Sequence, residues 1–273
     1  MMNIGIDAGG TLIKIAYMEK NELILNKFPV SEMAHVAAWI NGQIDARICM
    51  TGGKASAIQS LIQQKAGELV EFDATCRGVQ YFLEKHGIMD SLYVLTNVGT
   101  GTSIHLVDGD AHRRLGGTGI GGGTLIGLSQ LLTGLTDYEE IIQAAANGAR
   151  DRIDLKVSHI YEGVEPPIPG DLTASNFGRI LQGASNPPFS KEELLASVVG
   201  LVGETVATVS VLAAGQSGAT TVIFIGSSFI GNNLLKEVVQ RYTKLRGASP
   251  LFIENGEYAG SIGAWLHADG LHT

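Results

Sequence analysis

The chain has 273 residues, 45% of them apolar, and a net charge of −8, enough to bury a large core and to build two lobes. The acidic balance, with no basic cluster beyond local pairs such as Arg113-Arg114, argues against a nucleic-acid surface. Two single cysteines, Cys49 and Cys76, and seven His residues without ligand spacing leave no basis for a disulfide framework or a zinc site.

The N-terminus lacks a charged segment followed by an apolar one. Ser, Thr, Gly and Glu interrupt the longest apolar run, Ser197 to Ala214, so no membrane span is read and a cytoplasmic protein is expected. The chain opens on an apolar strand, Ile4-Gly5-Ile6, running into Asp7-Ala8-Gly9-Gly10-Thr11. Glycines let backbone N–H groups approach an anion, Asp7 can hold a hydrated Mg²⁺, and Thr11 adds a hydroxyl. Leu12 to Tyr17 then alternates as a strand, so the loop is a hairpin tip; Rossmann and Walker A loops need a helix there, and Gly53-Lys54 lacks the rest of a Walker motif. Helices near Met33 to Gln43 and Ala55 to Lys65, strands at Arg47 to Thr51 and Leu69 to Phe72, and a helix from Gly78 to His86 make the chain α/β.

A second hairpin follows at Leu92 to Val107, with the tip Asn97-Val98-Gly99-Thr100-Gly101-Thr102-Ser103. Two such devices suggest an internal duplication. In duplicated α/β kinases of the actin and sugar-kinase type, the two tips face each other and grip one ATP. Next comes Arg113-Arg114-Leu115-Gly116-Gly117-Thr118-Gly119-Ile120-Gly121-Gly122-Gly123-Thr124, opening a helix at Leu125 to Leu132 whose free N–H groups make an anion site. Gly117, Gly119 and Gly122 match G-x-G-x-x-G, but no clear strand precedes them, and a dinucleotide reading is set aside. The polar, Pro-rich stretch 136–186 reads as an insertion. The pattern resumes with a long helix at Lys191 to Ala214, a strand at Thr221 to Ile225, Gly226-Ser227-Ser228 as a candidate adenosine contact, a helix at Leu234 to Leu245, a strand at Leu251 to Ile253 and a small-residue helix at Ala259 to Ala268. His105, on a strand, reads as structural.

The strings Asp7 to Lys14, Val70-Glu71-Phe72-Asp73-Ala74, Asn97 to Ser103, Gly117 to Gly123 and Ile225-Gly226-Ser227-Ser228-Phe229 together resemble the type II pantothenate kinases, in the compact form of staphylococci and bacilli. The resemblance implies an actin-like, ribonuclease-H-like duplicated fold, a homodimer, and transfer of phosphate from ATP with Mg²⁺ to pantothenate, toward coenzyme A. Lobes are expected at 1–95 and 96–273. Glu71 is the implied general base; Glu71 and Asp73 alternate on the expected strand, and the residues alone do not separate them.

Asp7, Ala8, Gly9, Gly10, Thr11, Leu12 and Lys14 would form the first nucleotide loop, with Asp7 on Mg²⁺ directly or through water. Thr100 and Gly101 would come from the second loop, Gly121, Gly122, Gly123 and Thr124 from the third, and Ser227 and Tyr138 would lie along the nucleotide. Ser103 and Arg114 are the implied pantothenate contacts, with Arg113 a competitor for the latter. Thr173 and Tyr242 would shape the far end of that pocket across the dimer. A sugar kinase of the same superfamily, or an actin-like ATPase without an acceptor, are the alternatives.

Overall fold

A computed structural model describes residues 2–88, 90–180 and 188–269; the last part of the expected insertion, 181–186, lies outside them. The chain starts with an antiparallel meander, β1 (Asn3–Ala8), β2 (Leu12–Glu19) and β3 (Glu22–Pro29). Helix α1 (Met33–Asn41) leads to β4 (Arg47–Thr51), parallel to β1; α2 (Ala55–Gln59) leads to the short β5 (Gly67–Glu68), parallel to β4. Helix α3 (Glu71–Lys85) follows.

The same order then recurs. A second meander, β6 (Leu92–Val98), β7 (Thr102–Asp108) and β8 (Ala111–Thr118), is followed by α4 (Gly122–Thr133), α5 (Tyr138–Ala146), the two-stranded β9 (Leu155–Lys156) and β10 (Thr173–Ser175) with α6 (Val157–Ile160) between them, and the long α7 (Lys191–Ser217). Strand β11 (Thr221–Ile225), helix α8 (Asn233–Leu245), strand β12 (Ser249–Phe252) and helix α9 (Ala259–Asp269) complete the chain. Among the described residues the two large sheets run β3-β2-β1-β4-β5 and β8-β7-β6-β11-β12. Three antiparallel strands and two parallel ones in each sheet give the duplication its structural form.

The last helices of the two repeats are exchanged. Cys76, Val79, Phe82 and Leu83 of α3 share an apolar cluster with Tyr93 and Leu95 of β6, Val107 of β7 and Ile223 of β11, in the second sheet. Helix α9 lies on the first sheet, with Ala264 and Ala268 against Cys49 of β4. The two helices pack backbone to backbone: a side chain at Gly78 would run into the carbonyl of Ala259, and one at Gly263 into that of Ala74. Strand β6 belongs wholly to the second sheet and spans the expected boundary at residue 95.

Four expectations need correction. Helix α3 starts at Glu71, not Gly78, so no strand runs through Leu69 to Phe72; Glu71 and Asp73 lie in the first turn of a helix, where acidic groups suit the dipole. Helix α2 stops at Gln59 rather than reaching Lys65. A strand, β8, does run into the Gly-rich stretch, but as the outer strand of an antiparallel meander and not as part of a βαβ unit. Helix α7 is, by length and composition, long and apolar enough to cross a membrane, and 67% of that span is buried inside the fold. It is the core helix of the second lobe, with Val198, Val199, Val202 and Val206 packed with Val94, Val222 and Phe224. A reciprocal cap starts it, Glu193 N donating to Ser190 Oγ and Ser190 N to Glu193 Oε2.

Candidate active site

A cleft of about 1040 Å³ opens between the two sheets at the hairpin tips. Residues from both repeats line it: Asp7, Gly9, Gly10, Thr11, Leu12 and Lys14 from the first hairpin, Glu71 and Phe72 from α3, and Asn97, Thr100, Gly101, Ser103 and Arg114 from the second sheet. The first tip is tightened by Gly9 N donating to Leu12 O at 3.0 Å. Across the cleft mouth, Thr11 Oγ1 and Thr100 Oγ1 lie 3.2 Å apart.

Asp7, the last residue but one of β1, lies directly opposite Lys14 in the β1–β2 ladder, and Lys14 Nζ lies 3.7 Å from Asp7 Oδ2. Burial holds the Asp7 carboxyl above its usual range, against the pull of Lys14. Space for that carboxylate is left by the first turn of α9, where a β-carbon at Gly260 would sit 2.9 Å from Asp7 Oδ2. The Glu71 carboxyl is also pushed up, first by burial and then by the charge of Asp7, with Lys14 opposing. Its neighbour Asp73 does not line the cleft; its Oδ1 is 2.8 Å from His112 Nε2.

Arg114 reaches the cleft because of a β-bulge. From Thr102 to Ile104, β7 pairs with Thr118 to Gly116, but His105 pairs with Arg114, so Leu115 is an extra residue. Regular pairing would put Arg114 opposite Leu106, on the other face; the bulge turns it to the face of Ser103 and His105 and leaves Arg113 opposite Leu106. Of the two arginines, Arg114 is the one that lines the cleft.

The third loop works differently from its sequence expectation. The first N–H groups of α4 are not free: Gly122 N donates to Gly99 O at 2.8 Å and Gly123 N to Thr100 O at 2.9 Å. Gly122 and Gly123 still line the cleft, but the helix start braces the second hairpin tip from behind. Gly121 packs on the backbone of Thr100 and Gly101, and Thr124 Oγ1 donates to Gly119 O, so neither faces the cleft. Ala8 is also away from it, fully buried in the core of the first sheet.

Tyr138 and Ser227 stand on the far wall, and the Tyr138 hydroxyl donates to Ser228 O and accepts from Asn232 Nδ2 at 3.2 Å. Burial raises the pKa of that hydroxyl. Thr173 and Tyr242 lie elsewhere, in a second cavity of about 290 Å³ that shares Leu234 with the cleft. There Tyr242 OH accepts from Thr173 N at 3.1 Å, and Thr173 Oγ1 donates to Glu204 Oε1 at 2.8 Å. Arg150 bridges the same Glu204 and Asp154. Several lining residues carried no sequence signal strong enough to find them. Lys27 was legible only through the register that pairs it with Lys14, and the apolar wall of Ile126, Ile142, Ile230 and Leu234 draws on α5, from the stretch read as an insertion.

Comparison with known proteins agrees with this architecture. The activator of the 2-hydroxyisocaproyl-CoA dehydratase from Clostridium difficile, solved with bound ADPNP, superposes with a TM-score of 0.67 at 13% identity, covering 98% of this chain and 94% of its own. A ROK family glucokinase from Streptomyces griseus, in complex with glucose and AMPPNP, superposes with a TM-score of 0.53 at 14% identity, covering 99% and 100%. The chain thus has the actin-like α/β fold of the ATPases and sugar kinases. Within that class the family model described as Fumble matches residues 90–267. The type II pantothenate kinase of Staphylococcus epidermidis (strain ATCC 12228) is 46% identical over 263 residues, 96% of this chain and 99% of its own length. That of Staphylococcus aureus (strain USA300) is 45% identical, covering 96% and 98%. The chain belongs to the type II pantothenate kinase family.

Proposed function

We propose that the protein transfers the γ-phosphoryl group of ATP to the primary hydroxyl of pantothenate, the first step toward coenzyme A, with Glu71 as general base. One observation carries the assignment of the base: of the two adjacent carboxylates, Glu71 faces the cleft beside Asp7 and Lys14, while Asp73 is engaged by His112. The raised pKa of Glu71 suits a group that must take a proton as the hydroxyl attacks.

Phosphoryl transfer asks a protein mainly for positioning and charge neutralisation. In this reading the jaws are the two large sheets, the first carrying α9 and the second α3. Backbone N–H groups of the first tip, the hydroxyls of Thr11 and Thr100, and Lys14 hold the phosphates. Tyr138, Ser227, Gly122 and Gly123 line the nucleotide. Arg114 and Ser103 hold the acceptor, the guanidinium gripping its oxygens through a planar fork.

The described residues contain no cluster of three metal-binding side chains. Mg²⁺ is commonly held by one or two carboxylates together with substrate phosphates, and Asp7 lines the cleft. Asp7 is the residue that would hold it, and when bound it neutralises phosphate charge. Thr173 and Tyr242 meet the acceptor through a second copy of the chain, as a homodimer, and the enzyme works in the cytoplasm.

The test is Mg²⁺-dependent ADP release with pantothenate, glucose, N-acetylglucosamine or no acceptor, for the wild type and Glu71→Gln. Release with pantothenate alone, lost by roughly 10²-fold or more in the variant, is the expected result. Release without an acceptor would point to an ATPase, and turnover of glucose to a sugar kinase. A fully active Glu71→Gln would remove Glu71 as base.

A further inference from the structure

Ser103 and His105 alternate along β7, and His112 and Arg114 along β8; the bulge at Leu115 puts all four on one face of the hairpin. At one end of this face Ser103 and Arg114 line the cleft. Beyond them the other two side chains take hold of α3. The His105 ring packs tilted against Phe72, with centroids 4.3 Å apart and planes at 45°, and His112 Nε2 meets Asp73 Oδ1 at 2.8 Å. Phe72 and Asp73 are the two residues that follow Glu71.

The first turn of α3 has no fastening of its own kind. Its N-cap, Val70, supplies no side-chain hydrogen bond, and its side-chain contacts to the second sheet come from β7 and β8. His105 is 3% exposed and neither ring nitrogen has a partner. Burial, with Arg114 and His112 nearby, pulls its pKa down to about 4, so the ring packs on Phe72 in its neutral form. A buried imidazole without hydrogen bonds costs stability, which leaves placement of its neighbour as what the ring contributes.

We propose that His105 and the Asp73–His112 pair are positioning residues for Glu71, so that one strand pair, β7–β8, sets both the acceptor contacts and the carboxylate that acts on the acceptor. This rests on Glu71 being the base. It follows that losing either contact lowers turnover through Glu71 and leaves nucleotide binding alone.

The experiment is steady-state kinetics on the full chain for His105→Ala, His105→Phe, His112→Ala and Asp73→Asn, each alone and combined with Glu71→Gln. Expected is a fall in kcat of about 10-fold for the alanine and asparagine variants with KM for ATP held within about twofold, since small displacements of a reacting group are costly. His105→Phe, which keeps an aromatic ring against Phe72, should retain most of the rate. In the Glu71→Gln background the same changes should leave the residual rate within about twofold. Equal losses in both backgrounds would mean a general structural role and overturn the proposal, as would an unchanged kcat in all of them. If His105→Ala fails to fold, the partly exposed Asp73–His112 pair decides the question by the same criterion. A fully active Glu71→Gln instead rejects the base, a result separable from any failure of the brace.

Discussion

Thr11 and Thr100, 89 residues apart in sequence, meet hydroxyl to hydroxyl at 3.2 Å where the two hairpin tips face each other. One hydroxyl donates to the other across the cleft mouth, and in the proposed reading both turn to phosphate oxygens of the nucleotide. Hydrogen bonds to a charged group are worth about 1.5–3 kcal/mol. Thr11→Val and Thr100→Val should therefore each lower kcat/KM for ATP by at least about 10-fold. Initial-rate measurements with varied ATP at saturating pantothenate check this; unchanged kinetics in both variants would exclude the two hydroxyls as phosphate donors.

Arg114 passes over a residue that has no side chain. A β-carbon at Gly117 would lie 2.8 Å from Arg114 Nη2 and 2.6 Å from Thr102 O. Gly117→Ala should push the guanidinium off its line and raise KM for pantothenate by about 10-fold, with KM for ATP little changed. A rise in KM for ATP alone would place Arg114 at the nucleotide.

The acid limb of the pH–rate profile follows from Glu71. A base acts when deprotonated, and burial and Asp7 hold this carboxyl above its ordinary 4.5, so kcat/KM should fall with decreasing pH at values above that figure. Lys14 opposes the shift. Removing its charge in Lys14→Met should move the limb to higher pH, in addition to lowering the rate. A limb that stays in place would mean that a different group titrates.

Asp7 binds its proton more tightly in the folded chain than in the unfolded one, because burial outweighs Lys14. Between the ordinary 3.8 and its raised value, the native state carries more protons, so this group's contribution to stability falls as pH rises through that window and stays low above it. Asp7→Asn should accordingly be inactive and yet melt higher than the wild type at pH 7, with the difference vanishing near pH 3. Each kcal/mol recovered corresponds to about 2–4 °C in a chain of this size. A variant that melts lower at pH 7 would show that the Asp7–Lys14 attraction dominates.

The hairpins were legible because a Gly-Gly-Thr or Gly-Thr-Gly tip between alternating strands has few other solutions. Duplication was legible for the same reason. The start of α3 was not: Val70-Glu71-Phe72-Asp73 alternates like a strand, and four residues are too few to tell a period of two from one of 3.6. Two acidic residues in a row of first-turn positions were the usable hint. The helix start at Gly122 misled differently, since a sequence shows donors without showing the carbonyls of Gly99 and Thr100 that take them. The resemblance pointed to Arg114, but the residues alone could not give its facing, because one extra residue in a strand pair reverses every side chain beyond it and Leu115 looks like any other strand residue.

The crossed placement of α3 and α9 also fixes how the jaws can move. With Gly78 against Ala259 and Gly263 against Ala74, each helix is notched into the backbone of the other, and sliding by even part of a residue would force atoms together. Any rotation of the halves about this notch would displace Asp7, which packs against Gly260 beside it, less than the far rim where Thr11 and Thr100 meet.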